Sequence, residues 1–95
     1  MITTKQRATL RGMANQMEAI LQVGKEGIGA NTIKQVDDAL TARELIKLRV
    51  LETAPVTARE AAQKLAEELQ ADIVQVIGYR FVLYRKNKKD PKIKL

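Results

Sequence analysis

Gly24-Lys25-Glu26-Gly27 is the stretch whose residue types and spacing could do chemistry. With its flanks it reads Ile20-Leu21-Gln22-Val23-Gly24-Lys25-Glu26-Gly27-Ile28-Gly29-Ala30-Asn31. Three glycines within six positions let the backbone take positive φ and approach a ligand with no Cβ in the way. A helical pattern begins just after Asn31, so unpaired N–H groups and a positive dipole end face the loop and favour an anion. Lys25 adds a mobile point charge, and Glu26 works against it. A phosphate backbone is one guest this arrangement suits. A plain strand-to-helix turn, in which glycine only relieves strain, is the other reading, and the loop alone leaves both open.

Elsewhere the chemistry is pruned by what the chain lacks. It has no His, Cys or Ser, so the usual zinc ligands, the commonest general base and two of the commonest nucleophiles are missing. Asp37 and Asp38 are adjacent, and on a helix their side chains diverge by about 100°, which is no catalytic dyad. The composition points away from an enzyme, and neither a metal site nor a cofactor is expected. Without cysteine there is no disulfide framework, which fits a reducing, cytoplasmic setting. No apolar run approaches a membrane span, and Met1-Ile2-Thr3-Thr4-Lys5 leads into a polar helical pattern rather than a signal core.

Charge is the other signal. The net +6 is uneven: residues 1–17 carry three basic and no acidic groups, residues 18–78 seven and ten, and residues 79–95 seven and one. If the two basic ends meet in the fold, they form a positive face that suits a polyanion. The candidate contacts are Lys5, Arg7 and Arg11 near the start, Lys25 in the loop, Lys47 and Arg49 mid-chain, and Arg80 and Arg85 near the end. For the first three alone, a merely solvated helix face is the better reading, and Lys47 and Arg49 could equally touch a ligand or face water.

These residues have to be held by elements the pattern predicts. Thr3 to Gln6 reads as a capping box opening a helix with Leu10, Met13, Ala14 and Met17 inward. Ile20 to Val23 reads as a strand. A second helix follows, capped by Asn31 or Thr32, with Ile33, Val36 and Leu40 as its stripe. Leu45 to Leu51 is a strand with Ile46, Leu48 and Val50 on one face and Lys47 and Arg49 on the other. Thr57-Ala58-Arg59-Glu60 is a second capping box, for a helix with Ala61, Ala62, Leu65, Ala66 and Leu69 inward. Ile73 to Ile77 is a β-branched run typical of an inner strand. Gly78-Tyr79 turns it into Arg80 to Arg85 as a hairpin, with Tyr79 free to stack on a base. The order is α-β-α-β-α-β-β, an α/β fold with a small mixed four-stranded sheet packed by helices. Residues 1–86 make one domain, and 87–95 a basic, flexible tail.

Taken in order, Lys5-Gln6-Arg7 with Leu10-Arg11, Val23-Gly24-Lys25-Glu26-Gly27, Ala39-Leu40 with Glu44-Leu45-Ile46-Lys47, and Val74-Gln75-Val76-Ile77-Gly78 with Leu83-Tyr84-Arg85 resemble the CRM domain. That family is named for chloroplast RNA splicing and ribosome maturation, and the chain is most similar to its stand-alone bacterial YhbY type. The resemblance implies a fold similar to the C-terminal domain of translation initiation factor three. It implies an RNA-binding protein that associates with precursors of the large ribosomal subunit and assists assembly by binding structured rRNA; a monomer is the default expectation. It also implies that the GxxG loop, here Gly24 to Gly27, contacts RNA much as the comparable loop of KH domains does. Gly29 stands where many relatives carry a small hydroxyl residue. The competing reading is a protein-interaction module on the ribosome, with only non-specific polyanion binding.

Overall fold

The computed structural model describes residues 2–95. Helix α1 (Thr4–Ala14) precedes strand β1 (Leu21–Val23), helix α2 (Ala30–Arg43), strand β2 (Leu45–Val50), helix α3 (Ala58–Leu69), and strands β3 (Asp72–Ile77) and β4 (Arg80–Tyr84). Both capping boxes form. Thr3 and Gln6 exchange side-chain-to-backbone bonds of 2.9 and 3.1 Å, and Thr57 and Glu60 exchange bonds of 2.8 and 3.1 Å. Each pair answers two N–H groups that a bare helix start leaves without partners.

The sheet runs in the order β1-β2-β4-β3. The β1-α2-β2 unit makes a parallel pair, and β4 lies antiparallel to both β2 and β3. The β2-α3-β3 crossover does not make a second parallel pair, because β4 inserts between its two strands. This puts β3 at the sheet edge, where the sequence suggested an inner strand. Its apolar richness has another cause. A bulge between Ile73 and Gln75 lets Ile73 and Val76 pack into one core while Val74 enters the other. A bulge also twists an edge strand away from unwanted pairing.

Two cores lie on opposite faces of the sheet. The larger joins Val36 and Leu40 of α2 and Ala61, Ala62 and Leu65 of α3 to Ile46, Leu48, Val50, Phe81 and Leu83. The small alanines let α3 sit close to the strands. The smaller core holds Leu10 and Ala14 of α1 against Leu45, Val74, Val82 and Tyr84. Met13, expected inward, is 43% exposed, because Leu10 and Ala14 already fill the narrow strip of α1 that meets the sheet. Strand β1 begins at Leu21; Ile20 still donates its N–H to the Lys47 carbonyl at 3.0 Å, but its side chain is exposed.

Two charged residues tie the elements together. The Arg85 guanidinium donates to the Asp37 carboxylate at 2.7 Å, the Asp37 carbonyl at 3.1 Å, the Leu69 carbonyl at 3.2 Å and the Thr41 hydroxyl at 2.9 Å. One planar fork thus joins the end of β4 to both α2 and α3. Glu44 is fully buried and accepts N–H groups from Asn87 at 2.8 Å, from Ile93 at 2.9 Å and from Lys92. The segment expected to be a flexible tail thus meets the domain at Asn87, Lys92 and Ile93, and Ile93 packs on the smaller core.

Two measurements check these ties. Arg85→Lys keeps the charge but cannot bridge four acceptors, so urea unfolding should show a loss of about 1–3 kcal/mol. For Glu44, burial pushes the carboxyl's pKa up. The N–H groups of Asn87, Lys92 and Ile93, with the Lys92 ammonium, outweigh it and hold the group below its ordinary value. The fold thus favours the ionised form, and this stabilisation is complete above the ordinary carboxylate pKa and lost as pH falls through the lowered one. Stability measured against pH should fall over that acid range in the wild type, and that part of the fall should be absent in Glu44→Gln.

Candidate nucleic-acid interface

The Gly24–Gly27 loop leaves the C-terminal end of β1, and the neighbouring loop after β2 leaves the same end of the sheet. Leu51 donates its N–H to the Val23 carbonyl at 2.9 Å, and Val50 donates to the Tyr79 carbonyl at 2.7 Å. The glycine loop, the β2–α3 loop and the β3–β4 turn therefore meet at one pole. Within the glycine loop, the Gly27 N–H donates to the Gly24 carbonyl at 2.9 Å, closing a β-turn with Lys25 and Glu26 exposed at its tip.

The two glycines differ. Gly27 has φ +71°, and a Cβ there would lie 3.1 Å from Cγ of Pro55, so the fold itself demands glycine. At Gly24 φ is not positive, and a Cβ would meet Cδ1 of Leu51 at 3.7 Å, an ordinary contact. Folding thus accounts for the second glycine and leaves the first unexplained. Helix α2 starts three residues beyond Gly27. Its N-cap is Gly29 in extended backbone, with no side-chain cap. Asn31 and Thr32, expected to cap it, already lie inside the first turn, and the Thr32 hydroxyl turns back toward the Gly27 carbonyl at 3.5 Å. The first-turn N–H groups are left uncovered by any capping side chain.

Strand alternation sets a cationic row beside this loop. Gln22 is the cross-strand neighbour of Arg49, Arg49 of Arg80, and Arg80 of Ile77. Lys47 sits one pleat away, opposite Val82. Like charges opposed across strands destabilise a sheet. Among the described residues, neither Arg49, Arg80, Lys47 nor Lys25 forms an ion pair. Helix α1 covers only Leu45, Val74, Val82 and Tyr84 on this face. A depression of about 480 Å³ remains, lined by Ile20, Gln22, Lys47, Arg49 and Arg80, with Glu18 its one carboxylate.

The remaining sequence candidates scatter. Lys5 and Arg11 are exposed on α1, with Arg11 in the last turn, where a cation complements the helix dipole. Arg7 is half-buried and donates from Nε to the Ile73 carbonyl at 3.2 Å, tying α1 to the edge strand. Arg85 is turned away from this face and spent on the fork described above. Sequence reasoning missed Ile20, Gln22 and Ile77 as surface groups. Ile77, 63% exposed, reads as core in any strand pattern, and only the hairpin's position at the sheet edge exposes it beside Tyr79, itself 55% exposed.

Comparison with known proteins gives a consistent picture. A family model described as the CRS1 / YhbY (CRM) domain matches residues 2–85. The chain is 41% identical over 95 residues to "Probable RNA-binding protein YqeI" of Bacillus subtilis, covering 100% of this chain and 99% of that one. It is 31% identical to an "RNA-binding protein" of Haemophilus influenzae, covering 99% and 94% of the two chains. In three dimensions it is similar to the solution structure of a hypothetical Staphylococcus aureus protein described as a candidate RNA binder. The TM-score is 0.83 at 44% identity, over 100% of this chain and 99% of the other.

The contrast between the glycines is open to measurement. Gly27→Ala should lose about 1 kcal/mol or more in urea unfolding, because it combines positive φ with the Pro55 contact. Gly24→Ala should stay within about 0.5 kcal/mol of wild type. An equal loss for both would return Gly24 to a structural role.

Proposed function

The chain belongs to the CRS1 / YhbY (CRM) domain family, and from that premise we propose that it is an RNA-binding protein recognising structured RNA with the pole that carries the Gly24–Gly27 loop. The observation that carries this reading is the opposed Arg49–Arg80 pair, left without a counter-ion directly beside that loop. Folding gains nothing from this placement, whereas a polyanion laid across the row would neutralise it. The names of the relatives from Bacillus subtilis and Haemophilus influenzae, which speak of RNA binding, support the same reading.

In this reading the RNA backbone passes over Gly24 and Lys25, where the missing Cβ permits close approach. Glu26 repels phosphate and so leaves the Gly24 side of the turn as the side of approach. The uncapped first turn of α2 offers N–H donors to one phosphate. Lys47, Arg49 and Arg80 take the neighbouring ones, and Lys5 and Arg11 extend the field along α1. Among the described residues Tyr79 is the single exposed aromatic side chain, too little for base-by-base stacking. Recognition is thus of shape and backbone, with cations supplying most of the affinity. The family resemblance makes rRNA of the large-subunit precursor the intended target. The role is to hold an RNA fold during assembly, as a cytoplasmic monomer, without catalysis or cofactor.

The test is binding to a structured large-subunit rRNA fragment across a salt series, with duplex DNA of equal length beside it. With roughly four to six phosphates contacted, log affinity should fall against log salt with a slope of about −3 to −5. Gly24→Asp and Arg49→Glu, each checked for folding by circular dichroism, should lose the preference for RNA. Equal binding to DNA, or folded variants that bind as well as wild type, would overturn the reading in favour of a protein-interaction module.

A further inference from the structure

A second basic surface lies at the other pole. Residues 86–95 contain five lysines and one aspartate. Their backbone is held at several points. The Glu44 carboxylate accepts the N–H groups of Asn87, Lys92 and Ile93. The Asn87 side chain donates to the Thr41 carbonyl at 3.1 Å and accepts the N–H groups of Lys89 at 2.9 Å and Asp90 at 3.1 Å. Ile93 packs against the smaller core. The side chains of Lys86, Lys88, Lys89, Lys92 and Lys94 are all exposed. Of these five lysines, only Lys92 forms an ion pair among the described residues, with Asp90 at 3.8 Å.

Glu44 is an unusual residue to find at that position. It is non-glycine at φ +65°, a backbone region that disfavours side chains, and its carboxylate is wholly buried. The hydrogen bonds its carboxylate accepts come from this arm alone. The arm both covers that charge and supplies the N–H groups that satisfy it. Its placement makes sense as a device that fixes the arm. A fixed lysine arm loses little freedom on meeting a polyanion, whereas a loose one must be ordered at that moment.

We propose that residues 86–95, held by Glu44, form a second RNA-contacting surface, in which Lys86, Lys88, Lys89 and Lys94 meet phosphates in a preset geometry. The inference rests on the RNA-binding reading above and adds a second site to it. The six residues of β2 separate this arm from the Gly24–Gly27 loop, roughly 20 Å at 3.3 Å per residue. An RNA that engages both must be long enough to span the sheet.

The experiment measures binding of the intact chain to a structured RNA hairpin across a salt series, together with amide hydrogen exchange at Asn87, Lys92 and Ile93. Lys88→Gln/Lys89→Gln should leave those amides protected and make the salt slope shallower by about 1.5, two phosphate contacts' worth. Glu44→Ala should unprotect the three amides, leave the loop and sheet amides protected, and weaken binding about tenfold at unchanged lysine number, roughly the effect of 1.4 kcal/mol. An unchanged slope in the lysine variant overturns the inference, even if Glu44→Ala does not fold. Freed amides with unchanged affinity also overturn it, since loose lysines then serve equally well. A wild type that binds no RNA at low salt overturns the RNA-binding reading itself, whatever the amides show.

Discussion

A helix of eleven residues, about 16 Å long at 1.5 Å per residue, cannot cover one whole face of a four-stranded sheet. That constraint governs the molecule. On the opposite face α2 and α3 together close the larger core over Ile46, Leu48, Val50, Phe81 and Leu83, which are buried. On the α1 face, Leu10 and Ala14 reach only Leu45, Val74, Val82 and Tyr84. The rest of the face, from Gln22 across Arg49 and Arg80 to Ile77, is supported from behind by a packed core and open in front. Rigid strands therefore present the cations, and their spacing is set by the ladder rather than by flexible loops.

The loop beside that face mixes two kinds of glycine, and sequence alone does not separate them. Gly27 is needed where the chain turns over Pro55, and a KH-like motif would contain it even if nothing were bound. Gly24 lacks that excuse. Its neighbour Leu51 has room for a methyl group, and its backbone lies outside the left-handed region. Half of the motif is thus architecture, and the other half is where a ligand's close approach has something to explain. Gly29 belongs with the latter, since an extended N-cap without a side chain leaves the donors of α2 uncovered.

Much of the fold was legible because local chemistry and tertiary need agreed. Thr3 with Gln6 and Thr57 with Glu60 announce their helices. The alternation in Leu45 to Val50 announces both the strand and its sidedness, and Gly78, at φ +57°, its hairpin turn. What was not legible depended on which strand lies next to which. The run Ile73 to Ile77 is equally apolar at an edge or at the centre, and only the insertion of β4 decides. Met13 keeps a helical period that the sheet does not use. Asn31 resembles a cap because the helix was expected to start later than it does. Glu44 carried no signal of burial: a charged residue between a helix and a strand looks like surface, and its burial follows from contacts more than forty residues away.

Arg80 and Arg85 show how little residue type alone can say about a basic site. They bracket the same strand and carry the same charge, yet they differ in strand parity. Arg80, Val82 and Tyr84 point toward α1; Phe81, Leu83 and Arg85 point toward α2 and α3. Arg85 consequently finds the Asp37 carboxylate and the Leu69 carbonyl at the end of α3, and its charge is consumed within the fold. Arg80 finds Arg49 opposite it and forms no ion pair among the described residues. A shift of one residue in the pairing of β4 would exchange the two roles, burying an arginine among apolar side chains at one end and stripping the open face at the other. The hydrophobic alternation that seats Phe81 and Leu83 in the larger core forbids that shift. The same packing that stabilises the sheet therefore decides which of two arginines is left with its charge unmet.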